Sequence, residues 1–370
     1  MISARRIADP REVCLATERL SWADGARALA IVLVVAVHIT SPLLGRLSAE
    51  TAGKWWAGIV VDSVAQCGVP LFLMVSGALL LGLPGKADEP LRLFAAKRFL
   101  RVVVPFLAYS GIYFVWRSFY LGQHIALSVA VRDLYTGGVF YHLWFVYLLI
   151  GLYALVPVLR VWIAHAPYSH KLYYLAISLV GMTLLSAVAT QFGASSGIVF
   201  TGLTMWCGYF VFGGVLGMLH SRSCGVPIVL LSLMGAGSLA FSVLGTYLAT
   251  MASGAAKTDF RHFGTNVPSG VLLSLTAALL VRHILVSPKH RQTGLADRAI
   301  AELSACSYGI YLLHPIVLTI LHDGRLGFSL SGTAVDPSFG IPATLLATIA
   351  ICTAAVAITR RIPVLRRLLS

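Results

Sequence analysis

Residues 22–42 read WADGARALAIVLVVAVHITSP, an apolar span with an arginine near one end and a histidine near the other. On a helix, Arg27 and His38 are separated by about 1100° of turn at roughly 100° per residue, which returns both to nearly the same face. The rise between them is about 16 Å, a large part of a hydrocarbon core about 30 Å thick. One stripe of one helix therefore carries a cation close to one membrane surface and an imidazole well towards the other.

The rest of the chain is built around spans of the same kind. Of 370 residues, 58% are hydrophobic and 11% charged, and the mean hydropathy is +0.84, too apolar for a fold whose surface faces water. Apolar runs of about twenty residues recur along the whole length, as helices crossing a bilayer require, and short alternating strands of a barrel do not. Ten spans are expected, at about 22–43, 59–83, 99–119, 142–163, 172–191, 199–220, 226–250, 267–287, 304–322 and 339–360. The fold class is thus an all-α integral membrane protein, a bundle of about ten transmembrane helices.

An even count puts both termini on one side. If that side is cytoplasmic, its tails and loops hold 20 of the 28 Lys and Arg residues, against seven opposite, with Arg27 inside the first span. The positive-inside rule then places both termini in the cytoplasm. The formal net charge of +14 would point to nucleic acid in a soluble protein. Here the basic residues fall between spans and read as topology signals, so no nucleic-acid partner is expected. The six cysteines form no CxxC pair and sit mostly in apolar spans as small hydrophobes, so neither a disulfide frame nor a metal site is expected. The N-terminus is polar and carries no short apolar core with a cleavage site, so the first span is expected to be retained. The chain divides into an N-terminal tail (1–21), one transmembrane domain (22–360) and a basic tail (361–370), with no internal repeat.

Local features refine this outline. Lys54-Trp55-Trp56 between the first two spans reads as an interfacial anchor. The second span carries Asp62, Gln66 and GVPLFLMVSG (68–77), whose proline and glycines suit close packing or a broken helix. Residues 120–141 are too polar to span and read as a short amphipathic helix outside. Spans five to eight are largely featureless apolar helices.

Ionisable groups within hydrocarbon are costly and usually face a cavity or a partner. These are Asp24, Arg27, His38, Asp62, His142 and His314. The topology puts His38, Asp62 and His142 in the outer half and His314 near the middle, where they could surround one polar cavity. His38 suits a general base, since a neutral imidazole with a reference pKa of about 6.5 can take a proton from an alcohol; a buried histidine satisfied by a carbonyl is the plainer alternative. Arg27 can hold an anion or can snorkel at the inner interface, paired with Asp24 one turn earlier. Lys97, Arg98 and Arg101 form a basic cluster at the inner mouth of the third span that could grip phosphates, or could fix topology and touch anionic lipid. Trp144, Tyr308 and Tyr311 suit packing or an interface.

Four blocks in order resemble the membrane acyltransferase-3 family, which includes O-acetyltransferases of bacterial surface polysaccharides. They are Asp24, Gly25 and Arg27 followed by His38; GVPLFLMVSG (68–77); Lys97, Arg98, Arg101 and Pro105 together with HLWFVYLLIGLY (142–153); and SYGIYLLHP (307–315). One departure is Ala28, where many members have glycine. The resemblance implies a helical bundle in the bacterial inner membrane that takes an acyl group from cytoplasmic acetyl-CoA, as co-substrate, and delivers it to a hydroxyl at the outer side. It implies His38 as catalytic histidine, Arg27 as its essential stripe partner, and Arg98 and Arg101 at coenzyme A, where Lys97 of the same basic cluster is taken with them; His142 and His314 match family motifs, and with Asp62 and Trp144 they are the acceptor-side candidates. The implied acceptor is a saccharide or lipid-linked saccharide, in contact with membrane lipid and polysaccharide assembly machinery. The chain ends soon after the tenth span without the esterase-like outer domain of some relatives, so the bundle is expected to finish the transfer alone or with a separate partner. Succinyl or longer acyl donors, lipid or small-molecule acceptors, and a transporter of a lipid-linked saccharide are the competing readings.

Overall fold

The computed structural model describes residues 10–82, 89–191, 199–219, 225–285 and 294–363, with 365 and 368. Among them every regular element is helical: α1 (Pro10–Thr40), α2 (Ala52–Ala65), α3 (Gly68–Leu81), α4 (Leu91–Arg98), α5 (Val104–Phe119), α6 (Leu127–Thr136) and α7 (Trp144–His165) come first. Then follow α8 (Tyr168–Leu175), α9 (Met182–Gln191), α10 (Val199–Met218), α11 (Ile228–Ala252), α12 (Pro268–Leu285), α13 (Leu295–His322) and α14 (Pro337–Arg361). Nine helical segments among the described residues are long and apolar enough to cross a membrane, and within α10 the stretch Thr204–Met218 is a shorter apolar helix. This is an all-α, multi-pass membrane protein. Arg5, Arg6, Lys86, Arg222, the loop 286–293, Arg366 and Arg367, all part of the charge count, lie outside the described residues.

Contacts at the two ends agree with an even number of crossings. Arg27, near the start of the apolar span within α1, reaches Ser304 in the first half of α13 at 3.4 Å, and Arg360 at the end of α14 reaches Glu302 at 3.0 Å, so the first and last spans begin and end on one side. That side is called inner below, following the charge distribution. At the other end Lys54 Nζ donates to the Thr333 carbonyl at 2.8 Å, and Trp55 Nε1 donates to Thr258 Oγ1 at 2.8 Å. These contacts correct the reading of the Lys-Trp-Trp triplet. It lies in the first turn of α2, which starts earlier than the expected span, and Trp55 is fully buried against the outer loop instead of resting in the lipid interface.

Prolines shape the spans. The second crossing is broken into α2 and α3 at Gln66 and Cys67, because Pro70 has no N–H to continue the ladder. Ahead of Pro105 the third crossing loosens into a π-turn, Phe99–Val103, in which the Val104 N–H reaches back to the Phe99 carbonyl. Tyr308 on α13 donates to the Val102 carbonyl within this turn at 2.9 Å, anchoring it to the bundle.

A very close contact joins α3 to α10, a helix that reads as featureless in the sequence. A Cβ on Gly77 would stand 1.8 Å from the Phe210 carbonyl oxygen, and one on Gly213 would stand 1.9 Å from that of Met74. Only glycine at both positions lets two backbones touch, the small-residue packing on which membrane helices rely. Residues 120–141 do hold a short helix, α6, tied down by Arg117 Nη1 on the Asp133 carboxylate at 2.9 Å.

Candidate active site

The stripe on α1 delivers its two polar residues to different places. At the inner end Arg27 Nη1 lies 3.7 Å from Asp24 Oδ1 and 3.4 Å from Ser304 Oγ, and Ser304 Oγ donates to Asp24 Oδ1 at 2.7 Å. Arg27 thus joins α1 to α13 and is the partner of Asp24, as its spacing allows. His38, three turns further on, enters a cluster of rings in the outer half.

Three histidines meet there from separate parts of the chain. The His38 ring stacks on His314 of α13 with centroids 5.1 Å apart and an interplanar angle of 28°, and His314 meets His142 edge-on at 5.3 Å. His142 sits in the turn before α7, its carbonyl taking the hydroxyl of Tyr311. Tyr141 closes on the other side of His38 at 5.0 Å. His314 and His142 are almost wholly buried, whereas His38 keeps partial exposure.

A cavity of about 140 Å³ opens against this cluster, lined by His38 and His142 together with Gln66, Trp144, Trp206 and Tyr311. Neither ring nitrogen of His142 makes a hydrogen bond among the described residues, and the same holds for His314 Nε2. Buried polar atoms are almost always partnered. Unpartnered nitrogens beside a cavity leave bonding capacity that a polar molecule entering it can complete. Among the described residues no group of three or more His, Cys, Asp or Glu side chains is arranged to hold a metal ion.

The expected residues divide accordingly. His38, His142 and Trp144 line the cavity, and His314 backs it as the ring beneath His38. Asp62 is buried next to it without lining it: its carboxylate accepts from Ser41 Oγ at 3.3 Å and from Gln66 Nε2 at 3.1 Å, and Gln66 is the residue that reaches the cavity. Gln66 and Trp206 were not among the sequence candidates. A glutamine inside an apolar span was a usable signal, while nothing in the sequence around Trp206 distinguishes it from a packing residue.

At the inner mouth of the third crossing the basic cluster is split. Lys97 Nζ bonds Glu89 at 2.8 Å. That bond, seconded by Arg160, holds the Glu89 carboxyl below the usual carboxylate range. Arg98 turns over the rings of Phe94 at 5.4 Å and Tyr153 at 5.7 Å, with its Nε unpartnered, and borders an apolar groove of about 230 Å³. Arg101, one turn on, is exposed. Arg160, the cation that closes the fourth crossing, proves to be buried: its Nε donates to the Leu80 carbonyl at 2.7 Å, its Nη1 bonds Glu89 at 3.1 Å, and its guanidinium stacks over Phe94 at 4.7 Å.

The sequence model of the acyltransferase-3 family, an acyltransferase domain, matches residues 20–359. The chain belongs to this family. No curated protein and no solved structure gives a match. The match runs from before Arg27 into the last turn of α14, so the histidine cavity and the inner basic cluster both lie within the acyltransferase domain. A single bundle of this acyltransferase accordingly carries a cluster of three histidines in its outer half and the guanidinium groups of Arg98 and Arg101 at its inner mouth.

Proposed function

We propose that the protein transfers an acetyl group from acetyl-CoA, bound at the cytoplasmic face, to a hydroxyl of a surface polysaccharide or its lipid-linked precursor at the outer side of a bacterial inner membrane. The observation that carries this reading is the cavity in which His38 stands beside two further histidines with unpartnered nitrogens, within an acyltransferase domain. His38 would take the proton of the acceptor hydroxyl as its oxygen attacks the thioester carbonyl carbon; the carbon–sulfur bond breaks, and the leaving thiolate recovers the proton from the imidazolium. Transfer of the acetyl group first to His38 and then to the hydroxyl uses the same groups.

Three further features support the finer parts of the reading. A volume of about 140 Å³ suits a short acyl group better than a long chain, well below the several hundred Å³ of drug-sized sites. Trp144 and Trp206, with ring centroids 5.6 Å apart at the cavity, offer flat apolar faces on which the C–H face of a sugar ring can rest. At the inner mouth Arg98 and Arg101 are the groups able to meet the phosphates of coenzyme A, while Lys97 is already engaged by Glu89.

The test is twofold. Ester-linked acetyl on surface glycans is measured by mass spectrometry in cells lacking the protein and complemented with wild type or His38→Ala, and release of free coenzyme A is followed with both purified proteins in lipid nanodiscs. Restoration by wild type alone, with turnover of acetyl-CoA, is the expected result. Equal restoration by both would remove His38 from the chemistry, and glycan export without any acyl-CoA turnover would favour a transporter.

A further inference from the structure

The geometry of α13 contains a device that explains why a proline follows His314. In a continuous helix the carbonyl of Tyr311 would accept from the N–H of residue 315, but residue 315 is proline and has none. A buried carbonyl left so must find another donor. His314 Nδ1 lies 2.7 Å from that same Tyr311 oxygen and 3.1 Å from the Ile310 oxygen. Both neighbours are carbonyls and can only accept, so Nδ1 carries the proton. In a neutral imidazole the other nitrogen, Nε2, is then a bare lone pair, and it is buried without a hydrogen-bond partner among the described residues.

We propose that Pro315 and His314 together form a positioning device for His38: the carbonyl vacated by the proline fixes His314 as the Nδ1–H tautomer, and the fixed neutral ring, stacked on His38, orients it for proton transfer. His314 is wholly buried, and the stack at 5.1 Å is its contact with the reacting histidine. A ring held at one nitrogen by two carbonyls cannot turn over without losing both bonds, so its face towards His38 is constant. Because the two rings lie nearly parallel, His314 is a positioning residue and His38 keeps the role of base. When His38 takes a proton, the ring beneath it is neutral, and repulsion between two stacked cations is avoided. The orienting role rests on the acyl-transfer reading, whereas the tautomer does not.

The tautomer can be read directly on the full-length protein in lipid nanodiscs by solid-state NMR with ¹⁵N-histidine, the His314 signals being assigned from their loss in His314→Asn. The expected spectrum has a protonated Nδ1 and an unprotonated Nε2. Pro315→Ala restores a backbone N–H that competes for the Tyr311 carbonyl and keeps the helix intact. Its expected effect is a change in the His314 ¹⁵N signals together with a fall in kcat of about tenfold at unchanged KM for acetyl-CoA, the signature of lost orientation without lost binding. His314→Phe keeps a stacked ring but loses the anchoring bond, and a larger fall of about a hundredfold is expected. A wild-type spectrum with a protonated Nε2 would overturn the tautomer assignment. Wild-type kcat in Pro315→Ala despite altered nitrogen signals would overturn the orienting role. Absence of acyl-CoA turnover in the wild-type protein would sink the acyl-transfer reading, and the orienting role with it, while the ¹⁵N signals still decide the tautomer.

Discussion

At the inner end of the bundle Arg27, Asp24 and Ser304 close on one another, and Arg160 closes on Glu89 and the Leu80 carbonyl. In the outer half both nitrogens of His142 and one of His314 meet no partner, although they are as deeply buried as Arg160. A buried polar group that is satisfied within the chain holds helices together; one left open beside a cavity costs stability until a ligand arrives. The contrast is between joints closed within the chain and rings left open beside a cavity, although Arg98 Nε at the inner mouth is open as well, and each half makes its own prediction.

The largest expected effect belongs to the outer half. His38→Ala should lower the turnover of acetyl-CoA by about 10²–10⁴-fold, the range general-base catalysis contributes, and lower the unfolding temperature in detergent only slightly, since the His38 ring lines a cavity and its shown contacts are ring contacts to Tyr141 and His314. A large loss of thermal stability would instead make His38 part of the frame. Arg160→Met should behave in the opposite sense. It strands the Leu80 carbonyl and removes one cation from Glu89, which should cost roughly 3 kcal/mol, read as a lower midpoint of thermal unfolding, with turnover per folded molecule nearly retained. Acid should reach the same joint. Lys97 and Arg160 hold Glu89 below the usual carboxylate range, so its contribution is present above the unfolded value of about 4.3 and is lost as pH falls through the lower folded value.

Much of this division was legible in the sequence. Ten apolar runs and the bias of Lys and Arg were enough for the bundle, because hydrocarbon leaves a chain few alternatives to helices. Ionisable residues inside spans were enough to nominate His38, His142 and His314, because burial of such groups is too costly to be incidental. What stayed hidden were the properties created by packing between distant segments. Gly77 and Gly213 look ordinary until α3 and α10 are laid together. Arg160 resembles any cation closing a span until Glu89, Phe94 and the Leu80 carbonyl surround it. Asp62, a residue that could have lined the cavity, instead holds Gln66, which does.

A smaller effect sharpens the comparison at the inner mouth. Arg98→Ala with Arg101→Ala should raise the KM for acetyl-CoA by about tenfold, one or two charge-assisted contacts to phosphate, with kcat within a factor of two or three. Unchanged KM would detach these residues from the donor and return Arg98 to the stabilisation of Phe94 and Tyr153.

The smallest effect is expected at Arg27, and there the two halves can be tested against each other. Its ion pair with Asp24 is 3.7 Å long and both side chains are about a third exposed or more, so Arg27→Gln should cost under about 1 kcal/mol in stability. It stands about 16 Å along the helix from His38, too far to touch a carbonyl reacting there. If it serves the reaction at all from the inner mouth, it does so by holding the anionic end of the donor, and the substitution should raise KM by less than the Arg98 and Arg101 pair does. A fall in kcat approaching that of His38→Ala, with stability intact, would break the separation altogether. It would mean that the bond from Arg27 to Ser304 sets the position of α13, and that His314, ten residues further along that helix, passes the displacement to His38.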